Sequence, residues 1–194
     1  MEGARMLLEA GRPRARHAVI GEPTGMRPIR AHKGILMEAI RIRGRAGHSS
    51  NPALGLNAIE GMAQVIDGLR GLQTELRERF NDPIFAVNHP TLNIGHICGG
   101  DAPNRIPALC DLHIDLRFLP GMSVEDLRER IHRAVETALA GTDYGLDVHP
   151  LFDGTPAHGC DAGAAICQAA ERLTGHAAGT VDFATEAGYF GALG

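Results

Sequence analysis

Between residues 35 and 152 the apolar pattern changes period from two to about 3.6 and back, twice over, and this alternation limits what the chain can fold into. ILMEAIRIRG at 35–44 alternates apolar and polar residues, with Leu36, Ile40 and Ile42 on one face, as a half-buried strand does. GHSSNPALG at 47–55 is a turn cluster. Leu56, Ile59, Ala63, Ile66, Leu69, Leu72, Leu76 and Phe80 then recur at three- and four-residue steps, which predicts a long amphipathic helix that Gly61, Gly68 and Gly71 weaken. TLNIGHICGG (91–100) and ALCDLHIDLRF (108–118) read as two strands, the second with Leu112, Ile114, Leu116 and Phe118 on one face. Ser123, with Asp126 three residues on, is placed to cap a second helix striped by Val124, Leu127, Ile131, Val135 and Leu139. LDVHPLF at 146–152 is the last strand.

Strand–helix–strand–strand–helix–strand is the order of an α+β, ferredoxin-like βαββαβ unit, an antiparallel sheet with both helices on one face. At this length it can bury its own core. The flanks cannot. Residues 3–10 read as the end of a helix stopped by Gly11 and Pro13, HAVIG (17–21) as a buried strand, EPTGMRPIR as a loop, and 162–173 as a helix before the terminal AGYFGALG. The expected organisation is a domain at 31–152 inserted into an α/β domain of which 1–30 and 153–194 are remnants.

A net charge of −4 with interspersed signs argues against a nucleic-acid surface. Aromatic residues are 4% of the chain, too few for a base-stacking platform. No apolar run approaches the roughly 20 residues of a membrane span, and Glu2, Arg5 and Glu9 break any signal-peptide core, so the expected address is cytoplasmic. Cys98, Cys110, Cys160 and Cys167 form no CxxC pair, and reduced, mostly buried thiols are expected.

Four clusters carry chemistry. In GEPT (21–24), Glu22 sits where a strand is expected to open into a loop, a place suited to a metal-binding carboxylate or simply to a surface glutamate. In GRAGHSS (44–50), His48 lies in a small-residue loop, where it can meet a reacting carbonyl or only solvent. GGDAPNRIP (99–107) is longer than an ordinary hairpin connection and carries Asp101, Asn104 and Arg105, either for recognition of a carboxylate or carbonyl or to hold the turn. Arg117 closes an apolar-faced strand and needs an anionic partner, from the protein or from a substrate.

GEPT, RAHKG, GHSSNPALGLNAIE, PTLNIGHICGGDAPNRIPALCDLHIDLRFLPGMS and TEAGYF, in this order, closely resemble the dinuclear zinc metallopeptidase family of aminoacylases, glutamate-releasing carboxypeptidases and succinyl-diaminopimelate desuccinylases. The NRI and LPGM variants resemble the branch that removes acetyl groups from N-acetylornithine in arginine biosynthesis. The resemblance implies a zinc-hydrolase domain with an inserted lid through which two copies dimerise. It implies that Glu22 binds one of two zinc ions (cobalt being a possible substitute) and that His48 reaches the partner's site to polarise the scissile carbonyl. Asn104 and Arg117 would contact the substrate, Lys33 and Thr185 would hold its other end, and Arg105 marks the branch without an assigned role. The family's His-x-Asp motif, bridging aspartate, Glu-Glu pair and last histidine have no counterparts in the chain, so it is expected to be a fragment, inactive alone. A desuccinylase or general aminoacylase is the alternative within this chemistry. A non-catalytic dimerisation module is the alternative outside it.

Overall fold

The computed structural model describes residues 2–12 and 15–191. Its chain forms α1 (Glu2–Glu9), β1 (Ile29–His32), β2 (Gly34–Arg43), β3 (Gly47–His48), α2 (Ala58–Arg79), β4 (Thr91–Gly99), β5 (Arg105–Ile106), β6 (Leu109–Phe118), α3 (Val124–Ala138), β7 (Gly145–Pro150), β8 (His158–Gly159), α4 (Ala165–Thr174), β9 (Gly179–Val181) and α5 (Ala187–Phe190). It is an α+β protein with several sheets. The largest is four-stranded, in the order β4-β6-β2-β7, with each neighbouring pair antiparallel.

Strict alternation builds this sheet's inner face. Cys110, Leu112, Ile114, Leu116 and Phe118 of β6 point to the core, as do Leu36, Ile40 and Ile42 of β2. α2 and α3 cover that face. Ser123 caps α3 as its spacing predicts, accepting the Asp126 N–H at 3.0 Å. Asn57 caps α2 by accepting the Ile59 N–H at 3.0 Å. Leu127, Ile131 and Val135 are fully buried, as their stripe requires. Gly34 marks a close approach, because a Cβ there would stand 2.1 Å from the Phe118 ring.

The buried stripe of α2 is rotated from the one predicted. Ala58, Gly61, Met62, Val65, Leu69, Leu72 and Leu76 are buried, whereas Ile59 is 42% exposed, Ala63 is exposed and Ile66 is only partly covered. Met62 and Val65, each one position before the predicted Ala63 and Ile66, face the core in their place. Gly61 lies under the Tyr144 ring and Gly68 against α3, so these glycines serve close packing.

A second, three-stranded sheet in the order β8-β1-β9 joins the two flanks, with β1 antiparallel to β8 and parallel to β9. Here two expectations fail. HAVIG at 17–21 is not a strand: it is irregular, and Val19 is 80% exposed. No neighbouring strand among the described residues takes its backbone hydrogen bonds, and a strand without such partners does not persist. Conversely, Ile29–His32, assigned in part to the loop, is a strand, because β8 and β9 supply partners that no local pattern reveals. α1 ends at Gly11 in the left-handed region (φ 63°), while Pro13, the second predicted stop, lies outside the described residues, as does the terminal 192–194. Among the described residues no helix is long and apolar enough to cross a membrane.

Candidate functional site

Glycines and backbone bonds place the His48 loop. A Cβ on Gly44 would stand 2.0 Å from the Leu56 carbonyl oxygen, so the chain leaves β2 here only because the side chain is absent. Arg45 and Leu56 exchange hydrogen bonds at 2.9 and 2.8 Å, and Gly44 N–H reaches the Ala108 carbonyl at 2.8 Å. β3 then pairs with β5, His48 opposite Arg105, and Ser49 N–H donates to the Asn104 carbonyl at 3.0 Å. The structure therefore gathers His48, Asn104 and Arg105 on one small ribbon. The Arg105 guanidinium is tied to Asp101.

The His48 tautomer follows from its neighbours. Ser50 N–H donates to Nδ1 at 3.3 Å, so Nδ1 is an acceptor, and the Ser50 hydroxyl at 2.7 Å donates to it as well. The ring proton is then on Nε2. Since His48 is exposed, this N–H is free to donate to a carbonyl or oxyanion.

Arg117 lies at the far end of β6, on the face opposite the core. Asp115, two residues earlier on the same face, holds it with two parallel bonds of 2.9 Å. This is the anionic partner that the sequence demanded. Arg117 lies eight positions beyond Leu109 along β6, about 27 Å at strand rise, so it is remote from the His48 ribbon of its own chain.

Lys33 and Thr185 are buried. Lys33 Nζ stands 3.3 Å from Asp182 Oδ1, donates to the His89 carbonyl at 3.0 Å and lies 5.8 Å from the centroid of the Phe85 ring. It is a satisfied buried ammonium at the junction of β1 and β2. The Thr185 hydroxyl accepts the Ala187 N–H at 3.1 Å, at the start of α5.

Glu22 is half-buried in the loop before β1. His32, which the sequence did not single out, is close enough to feel its charge. His32 is buried, its Nδ1–H donates to the Lys33 carbonyl at 2.9 Å, and its Nε2 has no partner. Its ring centroid lies 6.1 Å from that of His158. Burial pulls the His32 pKa below the ordinary imidazole value, with the nearby His158 adding to this and Glu22 opposing it. Burial lowers His158 likewise. Among the described residues no three His, Cys, Asp or Glu side chains are gathered to hold a metal ion. The donor set around Glu22 does not fit a dinuclear cage, since a catalytic zinc ion takes about three protein ligands.

Residues 30–143 match the peptidase dimerisation domain. The chain is 46% identical over 187 residues to acetylornithine deacetylase of Edwardsiella ictaluri, covering 96% of this chain and 49% of that protein. It is 44% identical to the Proteus mirabilis acetylornithine deacetylase, covering 100% of this chain and 50% of that protein. The chain thus spans about half the length of the curated relatives it matches. Among solved structures, aminopeptidase PepT of Bacillus cereus superposes with a TM-score of 0.71 at 19% identity, covering 100% of this chain and 51% of the other. A hydantoinase/carbamoylase family amidase of Burkholderia ambifaria gives 0.61 at 15% identity, covering 84% and 38%. At such identities the likeness is one of fold.

Proposed function

The chain belongs to the family defined by the peptidase dimerisation domain, and from that premise we propose that it supplies the lid of a metal-dependent deacetylase acting on N-acetylornithine. In this reading residues 31–152 are a ferredoxin-like lid, an assignment favoured by the β4-β6-β2-β7 strand order, and 1–30 and 153–194 belong to the hydrolase domain. The observation that carries the reading furthest is the separation of the two polar groups. His48 and Asn104 sit at one end of the sheet and Arg117 at the other, too far apart for one small substrate to touch all three in one chain. Two lids arranged about a dimer axis remove the difficulty, because the partner's His48 and Asn104 can complete the site to which Arg117 belongs.

The roles follow from the chemistry. His48 Nε2–H donates to the oxygen that gains charge when the acetyl carbonyl is attacked. Asn104 orients the amide. Arg117, pre-aligned by Asp115, offers its guanidinium to the substrate carboxylate. Lys33 and Thr185, both buried, shape the wall near the substrate's other end, and Glu22 is the one metal-ligand position. Two zinc ions, or cobalt in their place, would supply the attacking oxygen in the whole enzyme. The residues described here cannot hold that pair by themselves. A cytoplasmic location belongs to the same proposal.

The test is hydrolysis of N-acetylornithine and of succinyl-diaminopimelate by the complete polypeptide. Preference for the acetyl substrate, with His48→Ala lowering kcat about 100- to 1,000-fold, is expected. Preference for the succinyl substrate would instead favour a desuccinylase. A second reading, a non-catalytic dimerisation module, draws on the lack of a metal cluster among the described residues. Dimers in light scattering, with neither hydrolysis nor metal in the complete polypeptide, would favour it.

A further inference from the structure

Six residues separate Cys160 from Cys167, yet the fold brings their sulfurs together. Cys160 follows β8, where its N–H donates to the Arg30 carbonyl at 2.7 Å and its carbonyl accepts from Arg30 Nη1 at 3.3 Å. The chain then turns tightly, with Gly163 N–H on Asp161 Oδ1 at 2.6 Å and Ala164 N–H on the Asp161 carbonyl at 3.0 Å. This turn feeds α4, whose first turn carries Cys167 inward. The Cys167 thiol donates to Cys160 Sγ at 3.5 Å. We propose that Cys160 and Cys167 are a reversible thiol–disulfide pair, a modification site oxidised by small disulfides of the glutathione class. The sulfurs, 3.5 Å apart, must close by about 1.5 Å to reach bonding distance.

The two thiols have different roles. Cys160 is partly exposed and can meet a disulfide from solvent, whereas Cys167 is buried. Burial, reinforced by the hydrogen bond to Cys160, pushes the Cys167 thiol up to about 11, so it keeps its proton at neutral pH and is a poor first nucleophile. Cys160, as thiolate, attacks one sulfur of glutathione disulfide and releases one glutathione thiolate, which takes a proton. Cys167 then loses its proton and attacks the Cys160 sulfur of the mixed disulfide, and the second glutathione leaves. Two protein thiols and one glutathione disulfide become one protein disulfide and two glutathiones. The bond would tie α4 to β8, and through β8 to β1.

Cys98 and Cys110 provide an internal control. They lie on adjacent strands, but Cys98 is exposed and Cys110 points into the core. The experiment treats the folded chain with glutathione disulfide and follows intact mass and peptide maps. The expected product has lost two hydrogens, links Cys160 to Cys167 and reverts with dithiothreitol. Cys167→Ser should stop at a glutathione adduct on Cys160. Cys160→Ser, at the more exposed position, should slow modification of Cys167 at least about tenfold. If Cys167→Ser does not fold by circular dichroism, wild type decides alone: the Cys160–Cys167 link must form faster in the native chain than in urea at equal pH. A link forming only in urea, a Cys98–Cys110 link, or a native chain modified at Cys98 alone would overturn the proposal.

Discussion

Glu38 occupies a core-facing position of β2 with its side chain 1% exposed, a place where an unpaired carboxylate is expensive. Arg128 of α3 answers it, with Nε 2.9 Å from Glu38 Oε1 and Nη2 on the Phe152 carbonyl at 2.9 Å. Arg128→Ala should therefore cost about 3–5 kcal/mol in urea unfolding, since it leaves the charge buried, and Arg128→Ala with Glu38→Leu should recover much of the loss. His32 and His158 make a second prediction at this scale. Burial holds both below the usual imidazole range, so the folded chain keeps them neutral where the unfolded chain takes up protons. Their contribution to stability is full above about pH 6.5 and falls away as pH drops below it. Urea melts between pH 7.5 and 5 should show this decline, and His158→Asn should flatten it. Single residues also show how much of the site was legible. The partner that Arg117 required could be read from period two, because Asp115 shares its face. His32 gave no such sign: only the β1–β8 pairing, between distant segments, brings it beside His158.

α2 shows what helical period can and cannot deliver. The helix lies within the predicted span, because the apolar steps and the Asn57 cap leave little choice of element. Its facing was misjudged because Ile59 and Ala63 fit the same three- and four-residue steps as the true core series through Met62, Val65 and Leu69. Leu69→Ala should cost about 2–5 kcal/mol, whereas Ile59→Ala should cost well under 1 kcal/mol; chemical denaturation of the two variants measures the difference. The reverse result would restore the predicted facing. The four long strands were legible because each alternates over an inner face that the two helices cover. The short ones were not. β1, β8 and β9 are two to four residues long and exist through pairing between segments more than a hundred residues apart. HAVIG shows the converse: apolar composition makes no strand where no described neighbour accepts its backbone.

At the scale of the molecule the sheet has two edges, β4 and β7, and only β4 continues into the loop that pairs with the His48 ribbon. An unpaired edge strand is a ready surface for a second copy, and a two-fold axis there would repeat the ribbon on both sides. Under the proposed function, dimerisation through residues 31–152 implies sites built from two chains, with His48 and Asn104 from one and Glu22 and Arg117 from the other. Subunit mixing separates this arrangement from one in which each chain serves itself. One complete polypeptide carries His48→Ala and the other Glu22→Gln, and each alone should be nearly inactive. After dissociation and random reassociation, half of the dimers are mixed. In a mixed dimer the site that keeps Glu22 receives an intact His48 from its partner, while the other site has lost both. About a quarter of the wild-type turnover per site should return. If each chain instead supplied its own histidine, every site would lack one group or the other, and mixing would restore nothing.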